Sequence, residues 1–277
     1  MNPVAAESSR MRKKSDVSPN NRHTTGAHQM NSAYHRPVAF RSALGHSTSG
    51  QLRDTSPTIL IPLGSTEQHG PHLPLDTDTR IASAVAAAAV DELSPGSRPD
   101  QFLVAPAIAY GASGEHEGFP GTVSIGTEAL KAGLVEYGRS ACGWARRIVF
   151  VNGHGGNLEA LRSAVSQLRS EGREAAWCPC VAEDGDAHAG HTETSVLLHI
   201  SPADVRSEAW SSGNQEPLVN LMPRMRRGGV AAVSEVGVLG DPTTATAVDG
   251  ARIFARMVEE CRRRIGRWSP DPDGMLI

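Results

Sequence analysis

Apolar positions in this chain come in short runs, and each run is followed by a polar loop and then by an alanine-rich or amphipathic stretch. Residues 58–61 (Thr58-Ile59-Leu60-Ile61) have the length of a buried strand that breaks at Gly64. Residues 80–93 are alanine-rich and predict a helix, with Thr77 or Asp78 near its N-cap and Ser94-Pro95-Gly96 as its stop. Residues 102–110 predict a second strand, interrupted by Pro106, and residues 127–147 an amphipathic helix capped by Thr127. Ile148-Val149-Phe150-Val151 then reads as a core strand of a parallel sheet, followed by the turn Asn152-Gly153-His154-Gly155-Gly156-Asn157 and a helix over 158–171.

Residues 174–180 predict a further strand, which leads through residues 186–195 into the apolar helix that contains VLLHI. RMRRGG, at 224–229, reads as a short basic turn in solvent, and 237–241 as another strand-to-turn passage. Residues 247–268 predict a long amphipathic helix with Ile253, Met257 and Ile265 toward a core. Strands alternating with helices predict a three-layer αβα sandwich of the α/β class with a mainly parallel central sheet. The expected organisation is one domain over 36–268, with a C-terminal tail at 269–277. Residues 1–35 are polar and without apolar periodicity, and are expected to be disordered; Met30 offers a second plausible start.

Composition narrows the function. With 39% hydrophobic and 21% charged residues, the 277-residue chain reads as an ordinary soluble protein. A net charge of -3 gives no basic footprint for nucleic acid and no polybasic membrane signal, and no apolar run is long enough for a transmembrane helix. The four cysteines do not form a paired framework, so reduced thiols and a cytoplasmic location are expected. Cys178 and Cys180 leave a zinc site open, although no second Cys/His pair stands at finger spacing.

The chemistry gathers just past three predicted strands. The first loop carries Glu67, His69, His72, Asp76 and Asp78; the second carries His154 between glycines; the third carries His188, His191 and Glu193. Each is open to a plainer reading: a polar surface loop, a buried structural histidine, a carboxylate at a helix N-terminus. Their recurrence at strand ends favours one convergent metal site, because open α/β sheets place their chemistry there. Carboxylate and imidazole donors without thiolate suit Zn, Mn or Fe(II).

PLGSTEQHGPHLPLDTDT, EHEGFPGTVSIG, VNGHGGN, HAGHTETS and GVLGDPTTAT, in this order, resemble the creatininase family of metal-dependent amidohydrolases. The resemblance implies a creatininase-like fold, a homo-oligomer, and two divalent metal ions (Zn and/or Fe(II), possibly Mn) on Glu67, His69, Asp78, His154 and Glu193, with Asp78 bridging. Such a pair lowers the pKa of a shared water and polarises an amide carbonyl. His188 is then the candidate general acid, His116 the second candidate for acid or substrate contact, and Glu193 is counted with the catalytic residues. His72 and His191 fall to supporting or packing roles. Creatininase proper has a glutamate where this chain has Gly156, so Glu193 is expected to supply the carboxylate and creatinine is placed in doubt as substrate. The HGGN and HAGHTETS versions resemble the mycofactocin-system branch of the family. That implies a peptidase acting on the modified mycofactocin precursor peptide and releasing its modified C-terminal Val-Tyr pair. Another family amidohydrolase, acting on a small cyclic amide or a formamide, and a non-catalytic binding protein remain alternatives.

Overall fold

Four parallel strands, β1 (Thr58–Leu63), β2 (Phe102–Val104), β3 (Arg147–Asn152) and β4 (Ala175–Pro179), form a sheet in the order β2-β1-β3-β4. This computed structural model describes residues 42–94, 101–182 and 185–277, and the expected N-terminal extension lies outside them. The helices are α1 (Ser49–Leu52), α2 (Thr77–Leu93), α3 (Thr127–Ala141), α4 (Leu158–Ser170), α5 (His191–Ile200), α6 (Leu218–Gly228) and α7 (Ala247–Arg267).

The two-residue period of the strands sorts their side chains between two cores. Leu60, Val149, Val151, Ala176 and Cys178 face one side and pack with α2, α5 and α7. Ile59, Ile61, Ile148, Phe150, Ala175 and Trp177 face the other and pack with α3 and α4. This is the three-layer αβα arrangement. Strands buried on both faces account for continuous rather than alternating apolar runs. Pro62 is tolerated inside β1 because its carbonyl, which accepts from Ile108 N–H at 2.9 Å, faces the side where β2 has already ended. Among the described residues, no helix is long and apolar enough to cross a membrane.

Several boundaries differ from expectation. α2 begins at Thr77 with Asp76 at its N-cap, so Asp78 lies inside the first turn. α3 stops at Ala141, and Arg147 opens β3 instead of closing the helix; Gly126, not Thr127, holds the N-cap. β2 is only three residues long, after which Ile108 alone bridges to Leu63. The basic stretch at 224–229 is the last turn of α6 and not a loop. Residues 237–241 form no strand, although Leu239 makes an antiparallel bridge with His188. Residues 269–277 fold back onto β4: Leu276 is fully buried, and its N–H donates to Trp177 O at 2.9 Å. Cys178 and Cys261 lie in the core as free thiols with their sulfurs 3.4 Å apart, and among the described residues no candidate metal-ligand group of three includes a cysteine.

Candidate metal centre

β1 and β3 end side by side at the point where the chain order in the sheet reverses, and α/β folds place ligand sites in that crevice. The loop after β1 delivers Glu67 and His69 and enters α2 at Thr77, which puts Asp78 where a helix dipole favours a carboxylate. Ser65 Oγ donates to Asp78 Oδ2 at 2.7 Å and fixes its plane. Gly153 lets β3 approach the start of α2: a Cβ there would lie 2.5 Å from the Asp78 carbonyl oxygen. Asn157 then ties the loops together. Its Nδ2 donates to Gly64 O at 2.9 Å and to Asn152 Oδ1 at 3.2 Å, and its Oδ1 accepts from Ala112 N–H at 2.9 Å.

The five expected ligands converge. His69 donates from Nδ1 to the Glu67 backbone oxygen at 3.1 Å, which turns Nε2 toward Asp78 Oδ1 at 3.1 Å and Glu193 Oε2 at 3.8 Å. His154 places Nδ1 3.2 Å from Asp78 Oδ2 and Nε2 3.1 Å from Glu67 Oε2. The two Asp78 oxygens therefore face two different imidazoles. Glu193, in the first turn of α5, accepts from Ala189 N–H at 2.7 Å. His116 and His188 join the cluster, with His188 stacked between His69 and His116 at ring-centroid distances of 4.4 Å each. Three triads of donor atoms lie within 4.8 Å of one another: Glu67/His69/Asp78, His69/His188/Glu193 and Glu67/His116/His188. The expected acid–base histidines thus stand at ligand distance, which their sequence positions did not indicate.

Electrostatics mark the centre as a cation site. Burial alone would lower the imidazoles of His69 and His154. The Asp78 carboxylate more than reverses this, helped by Glu67, and their pKa values rise to about 10 and about 9. Burial raises Glu67 and Glu193 to about 7 each, against the pull of the neighbouring imidazoles. Asp78 is held well below its ordinary value: burial opposes this, but the His69 and His154 charges and hydrogen bonds prevail. Both carboxylate oxygens of Glu67 are buried and make no well-formed hydrogen bond; the nearest nitrogens are His154 Nε2, 3.1 Å from Oε2, and His116 Nε2, 3.4 Å from Oε1. A buried carboxylate that lacks well-formed hydrogen bonds is costly unless a cation shares its space. The donor set and this orphaned carboxylate fit a divalent metal.

Other residues separate from the centre. His72 pairs Nε2 with Thr194 Oγ1 at 2.8 Å, and burial lowers it to about 4. His191 turns outward to Thr244 Oγ1 at 2.9 Å. Sequence reasoning gave no role to Glu115, whose Oε1 lies 3.8 Å from His154 Nε2. A Cβ on Gly156 would come within 2.6 Å of that oxygen, so the glycine leaves the space beside His154 to a carboxylate from another loop. Gln68 was passed over too, and the only signal for either residue was its place beside a candidate histidine.

Above the cluster opens a cavity of about 500 Å³. Its floor includes Asp78, His154, His188 and Glu193; its wall is Leu158, Leu218, Met222, Met225, Val230 and Leu239, with the Arg226 guanidinium beside it.

Residues 46–265 match the family model for creatininase, described as creatinine amidohydrolase. The chain is 68% identical over 250 residues to the mycofactocin precursor peptide peptidase of Mycobacterium tuberculosis, covering 89% of this chain and 100% of that protein. It is 39% identical over 148 residues to the 2-amino-5-formylamino-6-ribosylaminopyrimidin-4(3H)-one 5'-monophosphate deformylase of Methanothermobacter thermautotrophicus, covering 50% of this chain and 57% of that one. A solved structure named "Creatininase Mn" superposes with a TM-score of 0.67 at 22% identity, covering 83% of this chain and 99% of the other, which establishes the fold. Sheet order, strand-end ligands and family match agree, and the chain belongs to the creatininase family.

Proposed function

We propose that this protein is a metal-dependent peptidase that hydrolyses an amide bond near the C-terminus of the modified mycofactocin precursor peptide and releases the modified Val-Tyr pair. The observation that carries the reading is the cavity: a cluster of carboxylates and imidazoles under an apolar wall suits the end of a peptide with bulky side chains. A small cyclic amide leaves that wall unused. The 68% identity over the whole of the Mycobacterium tuberculosis peptidase supports the same substrate.

Glu67, His69, Asp78, His154 and Glu193 would hold two divalent ions. A bound divalent ion supplies Lewis acidity, which polarises an amide carbonyl and makes water a nucleophile near neutral pH. The chain's own groups handle the protons. Hydrolysis forms a C–O bond from water, breaks the C–N bond and requires a proton on the leaving amine. To His188, which lines the cavity floor, we assign the transfer of a proton from the water to that amine. Burial holds His188 well below its ordinary pKa, so it enters the cycle as a neutral base. The apolar wall shields the reacting amide from bulk water.

The test is mass spectrometry of the modified precursor peptide incubated with metal-loaded protein, beside a metal-stripped control. Loss of a dipeptide-sized C-terminal fragment in the loaded sample alone supports the reading. An untouched peptide, with turnover of a formamide or a cyclic amide instead, overturns the substrate and keeps the hydrolase.

A further inference from the structure

Gln68 stands in sequence between Glu67 and His69, yet its side chain turns toward His116 and His188. The orientation of its amide is settled by Gly70, whose N–H donates to Oε1 at 2.9 Å, so the other end is the NH₂ group. Nε2 has two hydrogens and three neighbours: Gly237 O at 3.0 Å, His116 Nδ1 at 2.9 Å and His188 Nε2 at 3.0 Å.

Two hydrogens cannot serve three neighbours, so one contact holds no hydrogen bond, and the neighbours that can only accept decide which. Gly237 O can only accept, so it takes one hydrogen. His188 Nε2 also lies 2.9 Å from the Gln68 backbone oxygen, again purely an acceptor, so Nε2 carries hydrogen and donates there. The second amide hydrogen goes to His116 Nδ1, which must accept. A doubly protonated His116 would set an N–H against an NH₂ group. The His116 hydrogen therefore sits on Nε2, and the His188 lone pair on Nδ1. These are the two atoms turned toward Glu67 Oε1, at 3.4 and 3.9 Å.

We propose that Gln68 is a positioning residue: through one side-chain amide it presents His116 to the centre as a hydrogen-bond donor and His188 as a proton acceptor. The two rings share one tautomer but face the centre with opposite edges. The division suits amide hydrolysis, in which one group takes the water's proton while another donates to the carbonyl oxygen as charge builds. Gly237 is part of the device. Its φ is +79°, and a Cβ there would collide with Gln68 Oε1. The catalytic consequence rests on the hydrolase reading; the tautomers do not.

The experiment combines ¹⁵N-histidine NMR of the full-length, zinc-loaded protein with kinetics on the modified precursor peptide, for wild type, Gln68→Glu and Gln68→Met. Both His116 and His188 are expected to carry hydrogen on Nε2 in the wild type. Gln68→Glu offers His116 Nδ1 an acceptor, so the His116 hydrogen moves to Nδ1. Both variants should lose about 10²-fold in kcat, with KM within about twofold and zinc content unchanged. A wild-type His116 protonated on Nδ1, or a Gln68→Glu enzyme with wild-type kcat, overturns the proposal. Wild-type spectra decide the tautomers even where a variant does not fold. A wild type that leaves the peptide intact counts against the peptidase reading alone.

Discussion

Glu67 carries the least ambiguous prediction among single residues. Glu67→Gln keeps size and removes charge from a position where neither carboxylate oxygen makes a well-formed hydrogen bond. Turnover is expected to fall at least about 100-fold and bound metal to drop, with the far-UV circular dichroism unchanged. Full activity at full metal content would remove Glu67 from the centre. Gly156→Ala tests the space beside His154, where a Cβ would collide with Ala112 O and His154 Nε2 and come within 2.6 Å of Glu115 Oε1. Overpacking of this kind costs about 1–3 kcal/mol, so thermal unfolding should drop by several degrees and metal affinity should weaken. An unchanged melting curve would mean that the loop yields freely. The residues that converge were legible because a metal needs particular donor types, and those types cluster past strand ends. Gln68, Asn157 and Glu115 were not, because their roles arise from where other loops pass: Gln68 matters through Gly237, 169 residues away.

At the level of elements, the strands were easier to read than the helix ends. β1 and β3 are buried on both faces, so their apolar runs announce themselves. α2 starts earlier than its alanines do because the loop hydrogen bond from Thr77 Oγ1 to Pro74 O, at 2.6 Å, precedes any apolar period. α6 was hidden by Pro223 inside it and by the arginines of its last turn. It is nonetheless the element expected to distinguish substrates, because Leu218, Met222 and Met225 form one wall of the cavity. Fully burying a methionine side chain is worth about 1.5–3 kcal/mol, and Met222→Ala gives up part of it. A loss of about 5–30-fold in kcat/KM on the modified peptide should follow, with the rate on a small formamide or cyclic amide, if any, unchanged. Equal losses on both would mean that α6 supports the metal centre instead of reading the peptide.

Across the whole molecule, the switch in strand order gathers acidic and imidazole groups at one end of the sheet, and this couples metal binding to protons. Glu67 and Glu193 are raised from 4.5 to about 7, so without metal the fold favours their protonated forms, and that contribution fades as pH rises from about 4.5 through 7. His69 and His154 are raised from 6.5 to about 10 and about 9, so the stability of their charged forms is full below 6.5 and is lost as pH rises toward 10. All four shifts have one sign, while the lowered His72, His116 and His188 oppose them below about pH 6.5, so the metal-free protein should become less stable from about pH 7 to pH 10. A cation replaces those protons, and its affinity should rise over the same range because fewer remain to be displaced. The gap in melting temperature between metal-loaded and chelator-treated protein should therefore widen from pH 6 to pH 9, and titration calorimetry at pH 7 in buffers of different ionisation enthalpy should register net proton release. A constant gap with no proton release would show that the raised groups do not meet the metal, and would move the centre away from these residues.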